Sequence, residues 1–208
     1  MADAPVHDFD SSAEIGKCGE ECFTFLMLAR GDVSKIDDVR DIPEFRLEDI
    51  DFIVHYKDGR VESHSVKIDW KTYETGNIFL EWVSVFRSWR HGWVRTTAAD
   101  KVSYITPQDG VMYVMCASWL KNYAKRLDRM PEIKKVVQKA RTKRGNRPYS
   151  SIGFLVPVDI LMRKMQSKLL EVYMRRSIDY DIESDSKRIS HFRLAHDKTN
   201  QKSTGKTT

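Results

Sequence analysis

The run Ser65–Thr72 constrains the fold more than any other part of the 208-residue chain, because its residues alternate between polar and apolar. Successive side chains of a β-strand point to opposite faces of a sheet. An extended Ser65–Thr72 therefore directs its apolar side chains to one face and Lys67, Asp69 and Lys71 to the other. The pattern predicts a half-buried strand that carries an acid and a base side by side.

A second apolar run, Asp51–Tyr56, precedes this strand across a turn that contains Gly59. Pairing the two runs as a hairpin is expected to bring Asp51 towards Asp69 and Lys71. Two carboxylates and a lysine at adjacent strand positions are suited to hold a divalent cation and to activate a water molecule beside a phosphate. Taken alone, the same side chains are also typical of a solvated sheet face.

The composition limits the domain organisation and the compartment. A chain of 208 residues with 41% hydrophobic residues can form one domain with a buried core. No apolar run approaches about 18 residues, so we expect no membrane-spanning helix and no membrane partner. The N-terminus does not resemble a signal peptide and the three cysteines are an odd number, which predicts a reducing, cytoplasmic compartment, the host cytoplasm if the chain is viral.

Charge is distributed unevenly along the chain, although the net charge is only +5. Residues 1–64 contain 7 Lys or Arg and 16 Asp or Glu, whereas residues 65–208 contain 28 and 14. Residues 120–147 alone contain 11 basic and 2 acidic side chains. A basic half of this size fits a polyanion such as nucleic acid, and a solvated basic surface is the alternative.

Hydrophobic periodicity predicts a mixture of helices and strands. Helices are expected over residues 12–30, 117–142 with a break at Pro131, and 158–176, and strands near residues 49–56, 62–72, 77–86, 101–106, 111–116 and 152–156. This order indicates an α+β, sandwich-like fold with a central mixed β-sheet flanked by helices. We expect one domain over residues 12–180, a loose leader over residues 1–11 and a basic, disordered tail over residues 184–208.

Three short motifs occur in an order that is known from one family of enzymes. Gly19-Glu20-Glu21 lies in the first helix, Asp51 opens a strand, and Asp69-Trp70-Lys71 closes the next strand. With the following run Glu74–Glu81, the chain resembles the PD-(D/E)xK nuclease superfamily, and within it a group of phage-type nucleases. The resemblance covers roughly residues 14–165 and implies a restriction-endonuclease-like core. Ile50 replaces the usual proline, and Asp69 stands where many members have Glu.

The resemblance assigns a role to each motif residue. Asp51 and Asp69 would bind Mg²⁺ or Mn²⁺ together with the backbone carbonyl of Trp70. Lys71 would orient or deprotonate the attacking water, or stabilise the charge that develops on the phosphate. Glu20 would add a carboxylate from the helix, with Glu21 as the alternative.

Further side chains are candidates for the site or for nucleic-acid binding. Glu81 is either an additional site acid or a solvent-facing strand residue. The aromatic and basic run Trp82–Trp93 either stacks on bases or packs the sheet or a dimer interface. Helical spacing places a group of basic side chains near one face, where they would contact DNA phosphates: Lys134, Lys135, Lys139, Arg141, Lys143 and Arg144.

Together these features predict a metal-dependent deoxyribonuclease that hydrolyses phosphodiester bonds by metal-activated water. We expect it to recognise DNA structure or ends in recombination, repair, replication or degradation, and to act as a homodimer. One alternative is a catalytically inactive protein with a nuclease fold that binds nucleic acid or a protein partner. The other is an RNA-directed endonuclease.

Overall fold

A computed structural model describes residues 7–8, 21–141, 148–165 and 170–174. All of them belong to one compact unit, Met1–Met174. The predicted tail over residues 184–208 lies outside the described residues. Among those that are described, no helix is both long and apolar enough to cross a membrane.

The described residues form short helices and many strands. Residues 21–28 form helix α1, and the other helices are α2 (Pro43–Leu47), α3 (Thr72–Thr75), α4 (Trp93–Thr96), α5 (Ala117–Ala124) and α6 (Val158–Lys164). The strands are β1 (His7–Asp8), β2 (Val33–Asp38), β3 (Phe52–Tyr56), β4 (Val61–Ile68), β5 (Asn77–Val85), β6 (Arg90–His91), β7 (Lys101–Thr106), β8 (Val111–Cys116), β9 (Lys134–Arg141), β10 (Pro148–Pro157) and β11 (Leu170–Met174).

The first sheet has six strands in the order β11-β8-β7-β4-β3-β2. Strands β2, β3 and β4 form an antiparallel meander, and β7 then pairs with β4 in parallel. The parallel pair aligns Lys67 with Tyr104, so that their side chains share one face of the sheet. This arrangement confirms the α+β class.

The second sheet has five strands in the order β1-β9-β10-β5-β6. Its centre is the antiparallel pairing of β10 with β5 and β9, and β1 pairs with β9 in parallel. The central mixed sheet that we predicted is therefore accompanied by a second sheet. His7 and Asp8, which were expected in the loose leader, form the edge strand β1.

The six-stranded sheet is covered on both faces. On one face, Phe23 and Met27 of α1 pack against apolar side chains of β3, β4, β7 and β8. On the other face, Val102 and Tyr104 pack against α5 and against Leu80 of the second sheet. Because Phe52, Val54 and Tyr56 of β3 face α1, Asp51 and Ile53 lie on the face towards the second sheet.

Two helix predictions are wrong in their extent. Residues 32–48, which lie between predicted elements, contain strand β2 and the short helix α2. The helical pattern over 117–142 is helical only to Ala124 in α5, followed by a 3-10 turn and then by strand β9. The helix expected over 158–176 ends at Lys164, and β11 follows from Leu170.

Gly92, which directly follows β6, lies unusually close to the backbone of strand β5. A Cβ atom at this position would lie 2.2 Å from the carbonyl oxygen and 2.9 Å from Cγ of Glu81. The Gly92 N–H donates a hydrogen bond to the carbonyl of Trp82 at 3.0 Å. A side chain larger than hydrogen would therefore force the two backbones apart.

Candidate functional site

Asp51 directly precedes β3 and points its side chain across to the neighbouring strand β4. Its N–H donates to the carbonyl of His64 at 2.8 Å, and its Oδ2 accepts a hydrogen bond from the N–H of Val66 at 2.6 Å. Burial raises the pKa of Asp51, against the opposing effects of Lys67 and of the Val66 N–H. The carboxylate is therefore held in a partly buried place that disfavours its charge.

Lys67 is the cation that faces Asp51 from β4. Its Nζ donates to Oδ1 of Asp49 at 2.8 Å, and Oγ of Ser65 donates to Oδ2 of the same carboxylate at 3.0 Å. The Lys67 side chain is only 18% exposed, and its ammonium lies 5.8 Å from the centre of the Trp93 ring. Ser65 and Lys67 reach the same acid because residues two apart on a strand share a face.

Asp49 is held in an uncommon backbone conformation next to this pair. Its φ is +54°, in the left-handed region that aspartate tolerates better than most side chains. Its carbonyl accepts a hydrogen bond from Oγ1 of Thr97 at 3.2 Å. The loop from α2 to β3 is thus tied down so that the carboxylate of Asp49 reaches Lys67.

Glu81, on β5 of the second sheet, interacts electrostatically with Lys67 and Asp49. Burial raises the pKa of Glu81, while the Trp93 N–H, the charge of Lys67 and the Ser151 hydroxyl act in the opposite direction. The negative charge of Asp49 adds a smaller effect in the same direction as burial. We name the group Asp49, Asp51, Glu81 and Lys67 the acidic cluster.

Asp69 and Lys71 lie in a turn and not in a strand, because β4 ends at Ile68. Oδ1 of Asp69 accepts a hydrogen bond from the Lys71 N–H at 2.7 Å, at the start of α3. Oδ2 of Asp69 accepts one from the Tyr104 hydroxyl at 2.6 Å. Because β4 ends before Asp69, the predicted arrangement of Asp69 beside Lys71 on one strand face is wrong.

The structure does not bring Asp69 to Asp51. Asp51 lies across from Ser65, and Asp69 follows Ser65 by four residues, which is about 13 Å along an extended chain. The carbonyl of Trp70 accepts a hydrogen bond from the side chain of Gln108. The three predicted ligands Asp51, Asp69 and Trp70 thus do not converge, and the acidic cluster surrounds Asp51 instead.

The other predicted residues are dispersed or lie outside the described part of the chain. Glu20 is not described, and Glu21 is exposed on α1. The basic group does not form a helical face, because Lys134, Lys135 and Lys139 are exposed residues of strand β9. Lys135 donates to Asp128 at 2.9 Å. Arg141 ends β9, and Lys143 and Arg144 are not described.

Two of the cluster residues left a signal in the sequence. Lys67 alternates with Ser65 on the predicted strand face, and the hairpin register places that face beside Asp51. The sequence leaves two interpretations open for Glu81, an additional site acid or a solvent-facing strand residue. In the structure its carboxylate interacts with Lys67 of the cluster. Asp49 had no comparable signal, because its position depends on the left-handed turn that precedes β3.

Comparisons with known proteins found no matching family model, no matching curated protein and no matching solved structure. Within the described residues, no group of three or more His, Cys, Asp or Glu side chains is arranged to hold a metal ion. Mg²⁺ commonly uses only one or two protein carboxylates, together with waters and phosphate oxygens. Asp51 with Asp49 or Glu81 would supply that number of carboxylates.

Proposed function

We propose that this protein is a metal-dependent deoxyribonuclease whose chemistry is centred on Asp51 and Lys67. The observation that supports it best is the partly buried Asp51, whose pKa is raised beside Lys67 and two further carboxylates. Titratable groups with opposed charges and burial-shifted pKa values are typical of catalytic sites. The basic composition of residues 65–208 supports a nucleic acid as the substrate.

The donor set fits a hard divalent cation. Asp51, Asp49 and Glu81 are oxygen donors, and Val66 occupies only one oxygen of Asp51. Asp51, with Asp49 or Glu81, would hold Mg²⁺ or Mn²⁺. When bound, the cation would polarise a phosphoryl oxygen and lower the pKa of a water molecule.

Lys67 and the backbone of β4 position the reacting groups. The Val66 N–H fixes the Asp51 carboxylate, and Asp49 holds the Lys67 ammonium at 2.8 Å. A fixed ammonium can stabilise the negative charge that builds up on a phosphate in the transition state. The Trp93 ring beside Lys67 limits the access of water on that side.

Two matched pairs of variants test this assignment. Cleavage of supercoiled, linear and branched DNA, and of RNA, is measured with Mg²⁺ and with Mn²⁺. We expect Asp51→Asn and Lys67→Ala each to reduce the cleavage rate by about 100-fold or more, because each removes a charged group from the site. Asp69→Asn and Lys71→Ala are the matched controls and should retain activity once folding is verified.

The outcome distinguishes the proposal from its alternatives. If Asp69→Asn and Lys71→Ala abolish cleavage while Asp51→Asn and Lys67→Ala retain it, the assignment to the acidic cluster is wrong. Cleavage of RNA alone would favour the RNA-directed endonuclease. A well-folded protein that cleaves none of these substrates would favour a non-catalytic nucleic-acid- or partner-binding protein.

A further inference from the structure

The tip of the β5–β6 hairpin exposes two aromatic rings. Phe86–Ser88 forms a 3-10 turn after β5, Trp89 follows it, and β6 begins at Arg90. The side chains of Phe86 and Trp89 are 44% and 63% exposed, and their ring centres lie 5.2 Å apart. Strand β6 is an edge of the five-stranded sheet, so no further strand of the described sheet covers the tip.

Trp89 occupies a backbone position that favours glycine. Its φ is +51° and its ψ is +28°, and its N–H donates to the carbonyl of Phe86 at 3.3 Å. Hairpins with short loops commonly place glycine at such a left-handed position, since the conformation is strained for residues that carry a Cβ atom. Trp89 gains little burial in return, because most of its side chain is exposed. Strain of this kind without a packing benefit indicates a function.

The tip segment itself carries basic side chains and no acid. Between Val85 and Arg95 the sequence contains three arginines and one histidine, and no acid. Arg87 and Arg90 are exposed on either side of Trp89. Arg95 lies 4.7 Å from the ring centre of Trp82, at the base of the hairpin. Exposed aromatic rings flanked by arginines are the usual elements of surfaces that bind unpaired nucleic acid.

Strand β5 connects this tip to the acidic cluster. Glu81 lies in the middle of β5, and Phe86 follows it by five residues. Five extended residues span about 17 Å. The aromatic tip and the acidic cluster therefore lie at two ends of the same half of β5.

We propose that Phe86–Arg90 is a binding site for unpaired DNA, in which Trp89 stacks on a base and Arg87 and Arg90 contact the adjacent phosphates. The site lies about 17 Å along β5 from Glu81 of the acidic cluster. This inference rests on the proposed function for its choice of ligand. It makes DNA with unpaired bases, such as a fork or a single-stranded end, the preferred substrate.

Binding in EDTA tests the site without any cleavage. The probes are a forked DNA with 2-aminopurine among its unpaired bases and a fully paired duplex of the same length, and the dissociation constant is measured by fluorescence anisotropy. We expect Trp89→Ala to weaken binding to the fork by roughly 5- to 100-fold, as one lost base stack would, and to leave binding to the duplex nearly unchanged. Trp89→Phe should recover most of the loss.

A matched control is Tyr73→Ala, which removes an aromatic side chain that is 60% exposed on α3. It should bind the fork like the unchanged protein. Quenching of 2-aminopurine should accompany binding of the unchanged protein and be lost in Trp89→Ala. If Trp89→Ala binds the fork as tightly as the unchanged protein, or weakens fork and duplex equally, the stacking site is wrong.

A second variant separates a binding role from a structural one. Trp89→Gly removes the ring and relieves the left-handed strain, so it should bind the fork as weakly as Trp89→Ala while melting at the same temperature as the unchanged protein or higher. A clear fall in melting temperature together with unchanged fork binding would show a structural tryptophan. Fork binding through Trp89 in a protein that cleaves nothing would overturn the proposed function and leave this site standing.

Discussion

At the scale of single residues, Asp51 is a carboxylate whose partly buried environment disfavours its charged form. The Val66 N–H and Lys67 favour its charged form, yet burial has the larger effect and its pKa is raised. A folded-state pKa above the unfolded value means that the native protein binds the proton more tightly. Stability from this group is therefore present at low pH and is lost as the pH rises through the raised pKa.

Asp51→Asn should therefore stabilise the free protein at neutral pH. Asparagine keeps an oxygen that can accept the hydrogen bond from Val66 and removes the buried charge. We expect a higher melting temperature than that of the unchanged protein at pH 7, and a difference that shrinks as the pH falls towards 4. Thermal unfolding at several pH values measures it, and a lower melting temperature at pH 7 would contradict the raised pKa.

At the scale of elements, the end of β4 shows how turn chemistry overrides a strand pattern. Asp69 and Lys71 continue the alternation of β4, but Asp69 turns its carboxylate back onto the Lys71 N–H and α3 begins. Asp is a common residue at such turns, because its side chain bonds the backbone two residues ahead. Tyr104 from β7 accepts the Phe79 N–H at 3.1 Å and donates to Asp69.

Tyr104→Phe should test this structural role of Asp69. The change removes a buried hydroxyl and leaves the Phe79 N–H and Oδ2 of Asp69 without that partner. We expect unfolding to require about 1–3 kcal/mol less free energy, measured by urea denaturation. Val102→Ala, a truncation in the same strand that removes no hydrogen bond, is the control for packing loss. A stability equal to that of the unchanged protein would argue against the hydrogen-bonded turn.

Several elements could be predicted closely and others could not. Strands β7 and β8 have the predicted bounds because apolar residues fill them and the Pro107–Gly110 turn separates them. Strand β9 was mistaken for a helix because its lysines have no strict alternation. It is extended because eight of its residues pair with β10, and such long-range pairing leaves no local signal.

At the scale of the whole molecule, the acidic cluster depends on two sheets that pack against each other. Asp49, Asp51 and Lys67 belong to the six-stranded sheet and its loop, whereas Glu81 comes from β5 of the other sheet. The proximity of Asp51 to β4 could be predicted from the sequence alone, because the two runs pair as a hairpin. The sequence could not decide whether Glu81 lies near Lys67, because that proximity requires the packing of one sheet on the other.

A divalent cation should stabilise the assembled molecule. A ligand that binds only the folded protein raises its unfolding free energy as its concentration exceeds the dissociation constant, by about 3 kcal/mol at a hundredfold excess. We therefore expect Mg²⁺ or Mn²⁺ to raise the melting temperature of the unchanged protein and of Asp69→Asn. Asp51→Asn should not respond. An Asp51→Asn variant that responds like the unchanged protein would show that the cation binds elsewhere.

The missing side chain at Gly92 links the two proposed sites mechanically. The absence of a Cβ at this residue lets the end of β6 lie directly against the backbone of Glu81. The same strand, β5, thus carries a residue of the acidic cluster and leads to Trp89. If both proposals hold, this constant separation would set where a strand is cut relative to its junction, so the products would have a defined length whatever their sequence.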